Sequence, residues 1–104
     1  MIYANEADVL NVTANCDKNQ NCSFNVTIRH NDTGWEHYVN KYEIISPSGA
    51  ILGTRVLFHP HVNEQPFTRS IPNVKIPKNV KSVNIRAYDL VHEYGGKEFK
   101  LKLK

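Results

Sequence analysis

Hydrophobic and polar residues alternate along most of the chain with a period of two, which is the pattern of β-strands that bury one face. Clusters of Gly, Pro, Asn, Asp and Ser interrupt this alternation and predict turns. No helical periodicity extends beyond one turn. The pattern predicts seven strands, at 10–16, 22–28, 38–46, 50–58, 67–71, 80–89 and 98–103. The fifth is expected to end before Pro72, which has no N–H for the ladder.

Seven short strands in a chain of 104 residues are typical of an all-β sandwich. We therefore predict a seven-stranded antiparallel sandwich of the immunoglobulin or fibronectin type III kind. One domain would span residues 1–104, with a flexible N-terminus at 1–6. The predicted inner faces contain Leu10, Val12, Phe24, Val26, Ile28, Tyr42, Ile44, Val83, Ile85, Phe99 and Leu101.

The chain has two cysteines, Cys16 and Cys22, at the facing ends of the first predicted hairpin. A disulfide between them would stabilise the fold by about 2 kcal/mol through loop entropy. Disulfides persist in oxidising compartments, so the pair indicates a secreted or periplasmic protein. The segment Ile-Tyr-Ala-Asn-Glu-Ala after Met1 reads like an N-terminus left by removal of a signal peptide.

The loops of such a sandwich alternate between its two poles. Strand order therefore predicts that the connections 30–37, 59–66 and 90–96 lie at one pole. The turns 17–21, 47–49 and 72–79 are predicted at the other pole, with both cysteines. All five histidines fall at the first pole, which we call the histidine pole. They are His30, His37, His59, His61 and His92.

This clustering suggests a divalent metal site, because neutral imidazole binds Zn(II) and Cu(II) and a carboxylate can complete the shell. The hypothesis takes His59, His61 and His92 as ligands, with Glu64 as a fourth ligand or supporting partner. His30 is in phase with buried positions of its strand and is interpreted as structural. His37 is interpreted as packing. Further residues of the same pole are Trp35, Asp89 and Tyr94.

The alternative hypothesis is a module that binds an unidentified protein partner. The same loops would then present Trp35, Tyr94 and the histidines, as antibody loops do, and the histidines would be structural. Enzymatic activity is the less favoured interpretation, since no Ser-His-Asp order and no Gly-rich phosphate loop occurs. Arg69 and Arg86 are expected to pair with Glu64 or Asp89 and to fix the connection 59–66, which we call the central loop.

The net charge of +3 is too small to argue for nucleic-acid binding. The lysines of the last strand alternate with Phe99, Leu101 and Leu103, which is typical of the solvated face of an edge strand. No apolar run is long enough to span a bilayer.

Four segments resemble a family of short, exported bacterial proteins of unassigned function. They are W-E-H-Y (35–38), P-S-G-x-I-L-G-T-R-V-L (47–57), H-P-H-x-x-E-Q-P-F-T-R-S (59–70) and R-A-Y-D-x-V-H-x-Y-G-G (86–96). The resemblance implies export and a single β domain, and it supplies no activity. A looser similarity is to superoxide reductases, whose iron sites need a Cys ligand. Here the cysteines are predicted at the opposite pole, which argues against that activity.

Overall fold

Seven β-strands organise the part of the chain that the computed structural model describes, which is residues 7–30, 34, 37–61 and 64–103. No helix occurs in these ranges. The strands are β1 (Asp8–Cys16), β2 (Asn21–Arg29), β3 (Val39–Ile45), β4 (Ile51–Val56), β5 (Phe67–Lys75), β6 (Ser82–Asp89) and β7 (Phe99–Lys102).

The strands form two antiparallel sheets. One has three strands in the order β1-β2-β5, and the other has four in the order β4-β3-β6-β7. Apolar side chains from both sheets pack in one core. The predicted all-β antiparallel arrangement of seven strands is therefore confirmed. The predicted flexible N-terminus at 1–6 lies outside the described residues.

The predicted inner faces are largely those of the structure. Phe24, Val26, Ile28, Tyr42, Ile44, Val83 and Ile85 are fully buried, and Phe99 and Leu101 pack against the core while partly exposed. The two sheets are also joined by a polar contact, because the Tyr42 hydroxyl donates a hydrogen bond to the Arg69 carbonyl at 2.9 Å. Burial raises the pKa of Tyr42, so the phenol stays a donor.

The prediction that Leu10 faces inward is wrong. The register between β1 and β2 shifts between Val9 and Asn11, and Leu10 occupies the shift. One extra residue in a strand reverses which side chains face the core. Val9 is consequently buried in place of Leu10, whose side chain is exposed.

The predicted end of the fifth strand at residue 71 is also wrong, because β5 continues through Pro72 to Lys75. β5 is an edge strand of its sheet, so a residue without an N–H can be tolerated there. The pairing with β2 shifts register in the same place, between Cys22 and Phe24. Asn73 takes a positive φ of 58°, which asparagine tolerates better than most residues.

The first hairpin carries a disulfide between Cys16 and Cys22, as predicted. The two residues are cross-strand partners, with Cα atoms 4.0 Å apart. Cys22 lies near the start of β2, whereas His30 follows its last residue. The disulfide and the histidine pole are therefore at opposite ends of the same strand.

Candidate metal centre

The ends of three strands bring four polar side chains together at the histidine pole. His30 follows β2, His37 precedes β3, and Asp89 is the last residue of β6. The antiparallel register pairs Val39 with Asp89, so the start of β3 and the end of β6 must coincide. His92 returns to the same place from the turn after β6, three residues beyond Asp89.

Three of these side chains converge closely. The Nε2 atoms of His30 and His37 are 3.2 Å apart. His30 Nε2 lies 3.4 Å from Asp89 Oδ2, and His37 Nε2 lies 3.4 Å from Asp89 Oδ1. One donor atom from each residue lies within 4.8 Å of the others. We call His30, His37 and Asp89, together with the neighbouring His92, the histidine–aspartate centre.

Asp89 is the fixed point of the centre. Its Oδ1 accepts hydrogen bonds from the backbone N–H groups of Val91 at 2.8 Å and His92 at 2.5 Å, which form the turn after β6. Its Oδ2 is buried and makes no hydrogen bond to any described residue. His92 Nδ1, also buried and without a hydrogen bond in the described part, lies 3.4 Å from Oδ2.

The centre lies just below the surface. The side chains of His30 and Asp89 are completely buried, whereas 14% of His37 and 28% of His92 is exposed. The ring of His37 lies between the other two, with centroids 4.7 Å from His30 and 5.1 Å from His92. An ion could therefore enter from the side of His37 and His92.

The central loop supports the buried side of the centre through Gln65. The Gln65 side-chain oxygen accepts a hydrogen bond from the His30 backbone N–H, and its amide nitrogen donates to the His61 carbonyl, both at 2.9 Å. One amide thus ties the end of β2 to the loop before β5. His61 and Gln65 therefore lie at the same pole as the end of β2, as strand order predicts.

The predicted loop ligands have other contacts. The ring of His61 is buried and stacks on Phe67, with centroids 4.1 Å apart. The exposed His59 ring lies 4.7 Å from that of His61, and its Nδ1 is 3.1 Å from the Pro60 carbonyl oxygen. These contacts pack the loop onto the start of β5.

Glu64 is exposed and forms an ion pair with Arg69, at 2.9 Å, which is one of the predicted pairings. The Arg69 hydrogen bond and charge hold the pKa of Glu64 below its usual value. Arg86 does not pair with Glu64 or Asp89, because it points to the outer face of its strand while Asp89 points inward. Its partner is Glu43, at 2.9 Å.

Among the described residues, His30, His37 and Asp89 are the group of three whose donor atoms lie within 4.8 Å of one another. His59, His61, His92 and Glu64 do not meet that criterion as a set, although His92 lies beside Asp89. That ligand set stays a prediction. Trp35 lies outside the described residues, and Tyr94 packs on Arg86.

Sequence reasoning placed His30, His37 and Asp89 at this pole but assigned them supporting roles. The signal that could have identified them is strand phase. His30 is in phase with buried Ile28, and Asp89 is in phase with buried Ala87. Titratable residues that continue buried faces need polar partners in the interior, so two of them at the same pole are candidates to contact one another.

Comparison with known proteins gives one relative of note. A protein of Halomicrobium mukohataei named "Putative lipoprotein" is 35% identical over 91 residues, which cover 88% of this chain and 44% of that protein. The chain thus spans less than half the length of this relative. No family model matches the chain. No solved structure matches it. In the described ranges, no helix has the length and apolar character to cross a membrane.

Proposed function

We propose that this protein binds a divalent d-block metal ion, Zn(II) or Cu(II), through His30, His37 and Asp89, with His92 as the fourth ligand. The observation that carries the proposal is the buried Asp89 Oδ2. It lies 3.4 Å from two imidazole nitrogens and makes no hydrogen bond to any described residue. A buried carboxylate oxygen without a partner is costly, and a cation at this point would satisfy it.

The spacing of the donor atoms supports tetrahedral coordination. Ligand atoms about 2.0–2.1 Å from a tetrahedral Zn(II) lie about 3.3–3.4 Å from one another. In the centre, Asp89 Oδ2 lies 3.4 Å from both His30 Nε2 and His92 Nδ1, and Asp89 Oδ1 lies 3.4 Å from His37 Nε2. The Nε2 atoms of His30 and His37 are 3.2 Å apart, which is also within hydrogen-bond distance. Imidazole and carboxylate also suit Cu(II), so both ions belong in the test.

The rival explanation is a network in which a protonated histidine neutralises Asp89. Charge-assisted N–H···O contacts are usually about 2.7–2.9 Å long and well aligned. The imidazole contacts of Asp89 are longer, at 3.4 Å, and its Oδ2 is not engaged in a hydrogen bond within the described residues. Two nitrogens beside Oδ2 and a third beside Oδ1, all at that distance, fit ligands around an ion better than a proton shared by one pair.

We further propose that the two sheets form an immunoglobulin-like sandwich in one domain and that the protein is exported. The pairing of β1, β2 and β5 in one sheet and of β4, β3, β6 and β7 in the other supports the first point. The Cys16–Cys22 disulfide supports the second, because oxidising compartments preserve such bonds. The relative's name supports it too, since lipoproteins are exported proteins.

A second candidate function is protein binding at the same pole. Phe58 is 77% exposed and Val91 is 58% exposed, and both adjoin loops that carry histidines. A contiguous exposed apolar patch marks a protein interaction site, and these two side chains would contribute to one. In this case the histidines would be structural, and single substitutions in the centre would leave partner binding largely unchanged.

Metal titration of chelator-stripped protein tests the proposal. Wild type, His37→Ala and His59→Ala would each be titrated with Zn(II), Cu(II) and Ni(II), with circular dichroism to verify the fold. We expect micromolar or tighter binding by wild type and His59→Ala, and its loss in His37→Ala. Loss in His59→Ala with retention in His37→Ala would assign the site to the central loop instead. No binding by wild type would overturn the proposal.

A further inference from the structure

The turn that carries His92 has one face in the metal centre and another on the outer surface of the four-stranded sheet. It begins at Asp89, whose backbone exchanges two hydrogen bonds with Glu93, each 3.1 Å long. The Gly95 N–H then donates to the His92 carbonyl at 3.1 Å. These bonds join His92 and Tyr94 in one compact turn, 89–95.

Tyr94 is the contact of this turn with the outer face. Its ring lies under the guanidinium of Arg86, with the Arg86 Cζ 4.0 Å from the ring centroid. The ring of Tyr88 packs edge-on against it, with centroids 5.0 Å apart. Lys41 lies above both tyrosines, with its Nζ 4.9 Å from the Tyr88 centroid and 5.9 Å from that of Tyr94.

Arg86 is itself held from the other side. Its Nε donates a 2.9 Å hydrogen bond to Glu43 Oε1, and Glu43 is 97% buried by residues of the outer face, with 3% exposed. Lys41 Nζ lies 3.7 Å from the other carboxylate oxygen of Glu43. Removing a cation from a buried ion pair strongly destabilises the fold. Arg86 is therefore a fixed platform, and the planar guanidinium holds the Tyr94 ring in one place.

We infer that Tyr94, packed on the Arg86 platform, is a positioning residue that keeps the His92 imidazole directed at Asp89 in the metal centre. The inference rests on the proposed function. Neither Tyr94 nor Arg86 is a ligand in this scheme. Both fix the backbone of the 89–95 turn. They affect metal affinity only because that backbone orients the His92 side chain.

The test is a double-mutant cycle on Cu(II) affinity, measured by competition with a chelator of known affinity. The variants are Tyr94→Ala, Tyr94→Phe, His92→Ala and the His92→Ala/Tyr94→Ala double variant. Supporting residues of metal sites typically contribute about 10- to 100-fold in affinity. We expect Tyr94→Ala to weaken binding about tenfold, and Tyr94→Phe to retain it because the ring still packs on Arg86.

The decisive result is the effect of Tyr94→Ala when His92 is already absent. A residue that acts through His92 should then have no effect on Cu(II) affinity, whereas one that supports the fold generally should weaken binding equally in both backgrounds. The electron paramagnetic resonance spectrum of bound Cu(II) gives a second readout. In Tyr94→Ala, as in His92→Ala, the spectrum should lose the coupling from one imidazole nitrogen. The thermal unfolding temperature of the metal-free protein should change little.

The outcomes separate the two proposals. If wild type binds Cu(II) and Tyr94→Ala binds equally well, the inference is wrong and the metal centre stands. An equal loss in both backgrounds also overturns the inference. If wild type binds neither Cu(II) nor Zn(II), the proposed function fails at the first measurement, and the positioning role fails with it.

Discussion

The two ends of the molecule use the same local device for different purposes. The end of the molecule that carries the Cys16–Cys22 disulfide is called the disulfide pole here. There, Asp17 Oδ1 accepts hydrogen bonds from the backbone N–H groups of Asn19 at 2.8 Å and Asn21 at 3.0 Å. The side chain is exposed, and these bonds, the one from Asn21 first, lower its pKa. This aspartate is an ordinary turn former whose charge is solvated.

At the histidine pole, Asp89 Oδ1 also accepts two backbone hydrogen bonds and shapes a turn. Here the residue is completely buried, and its second oxygen faces His30 and His92 instead of water. A turn-forming aspartate thus becomes a candidate ligand when the fold buries its free oxygen among imidazoles. Asp17 needs no ion because its charge is solvated.

Neutralising each aspartate in turn tests whether burial gives Asp89 its different role. Asp89→Asn retains the Oδ1 acceptor for the turn but removes the charge that would hold a cation. We expect it to weaken Zn(II) binding by more than the roughly 100-fold that loss of a supporting residue costs. Asp17→Asn is the matched control and should leave the affinity unchanged. Isothermal titration calorimetry of both variants, refolded without metal, measures the difference.

Substitutions at the disulfide pole should lower the stability of the protein and leave its Zn(II) affinity unchanged. Replacing both Cys16 and Cys22 with Ser removes a covalent closure, and loop entropy predicts a loss of about 2 kcal/mol in the free energy of unfolding. Urea denaturation of the metal-free protein measures that loss. Zn(II) affinity should be the same as in wild type, because the disulfide lies at the far end of β2. A large drop in affinity would mean that the two poles are coupled.

Much of the fold was predictable because alternation reports directly on which face of a strand is buried. The seven strands, the inward Phe24, Tyr42 and Ile85, and the disulfide all follow from that pattern. The errors lie where one residue breaks the period. The bulge next to Leu10 and the passage of β5 through Pro72 depend on pairing partners and edge position, which local sequence does not encode.

For the candidate site, strand order predicted that the five histidines, Glu64 and Asp89 share one pole. It did not indicate which of them lie close enough together to bind an ion. The H-P-H segment drew attention to His59 and His61 because two histidines lie close in sequence. Convergence depends instead on the ends of strands that pair far apart in the chain, such as β3 with β6. His30 and Asp89 were recognisable as buried continuations of their strands, but their mutual distance required the register.

The smallest expected effect concerns Glu64. It is a ligand if the metal site is formed by His59, His61 and His92, and it has no role if the metal binds at the histidine–aspartate centre. Arg69 lowers the pKa of Glu64 in the folded protein below its value in the unfolded chain. The ion pair therefore contributes stability that is fully present above the unfolded pKa and is lost as the pH falls through the lowered folded pKa. Because both side chains are solvated, the contribution is small.

Glu64→Gln should consequently flatten the acid limb of the stability curve slightly and leave Zn(II) affinity at neutral pH unchanged. Thermal unfolding of the metal-free protein between pH 3 and pH 7, beside Asp17→Asn as a second exposed carboxylate, measures the first effect. Titration with Zn(II) measures the second. A clear loss of affinity in Glu64→Gln would return the site to the central loop, since Glu64 pairs with Arg69 and is not part of the histidine–aspartate centre.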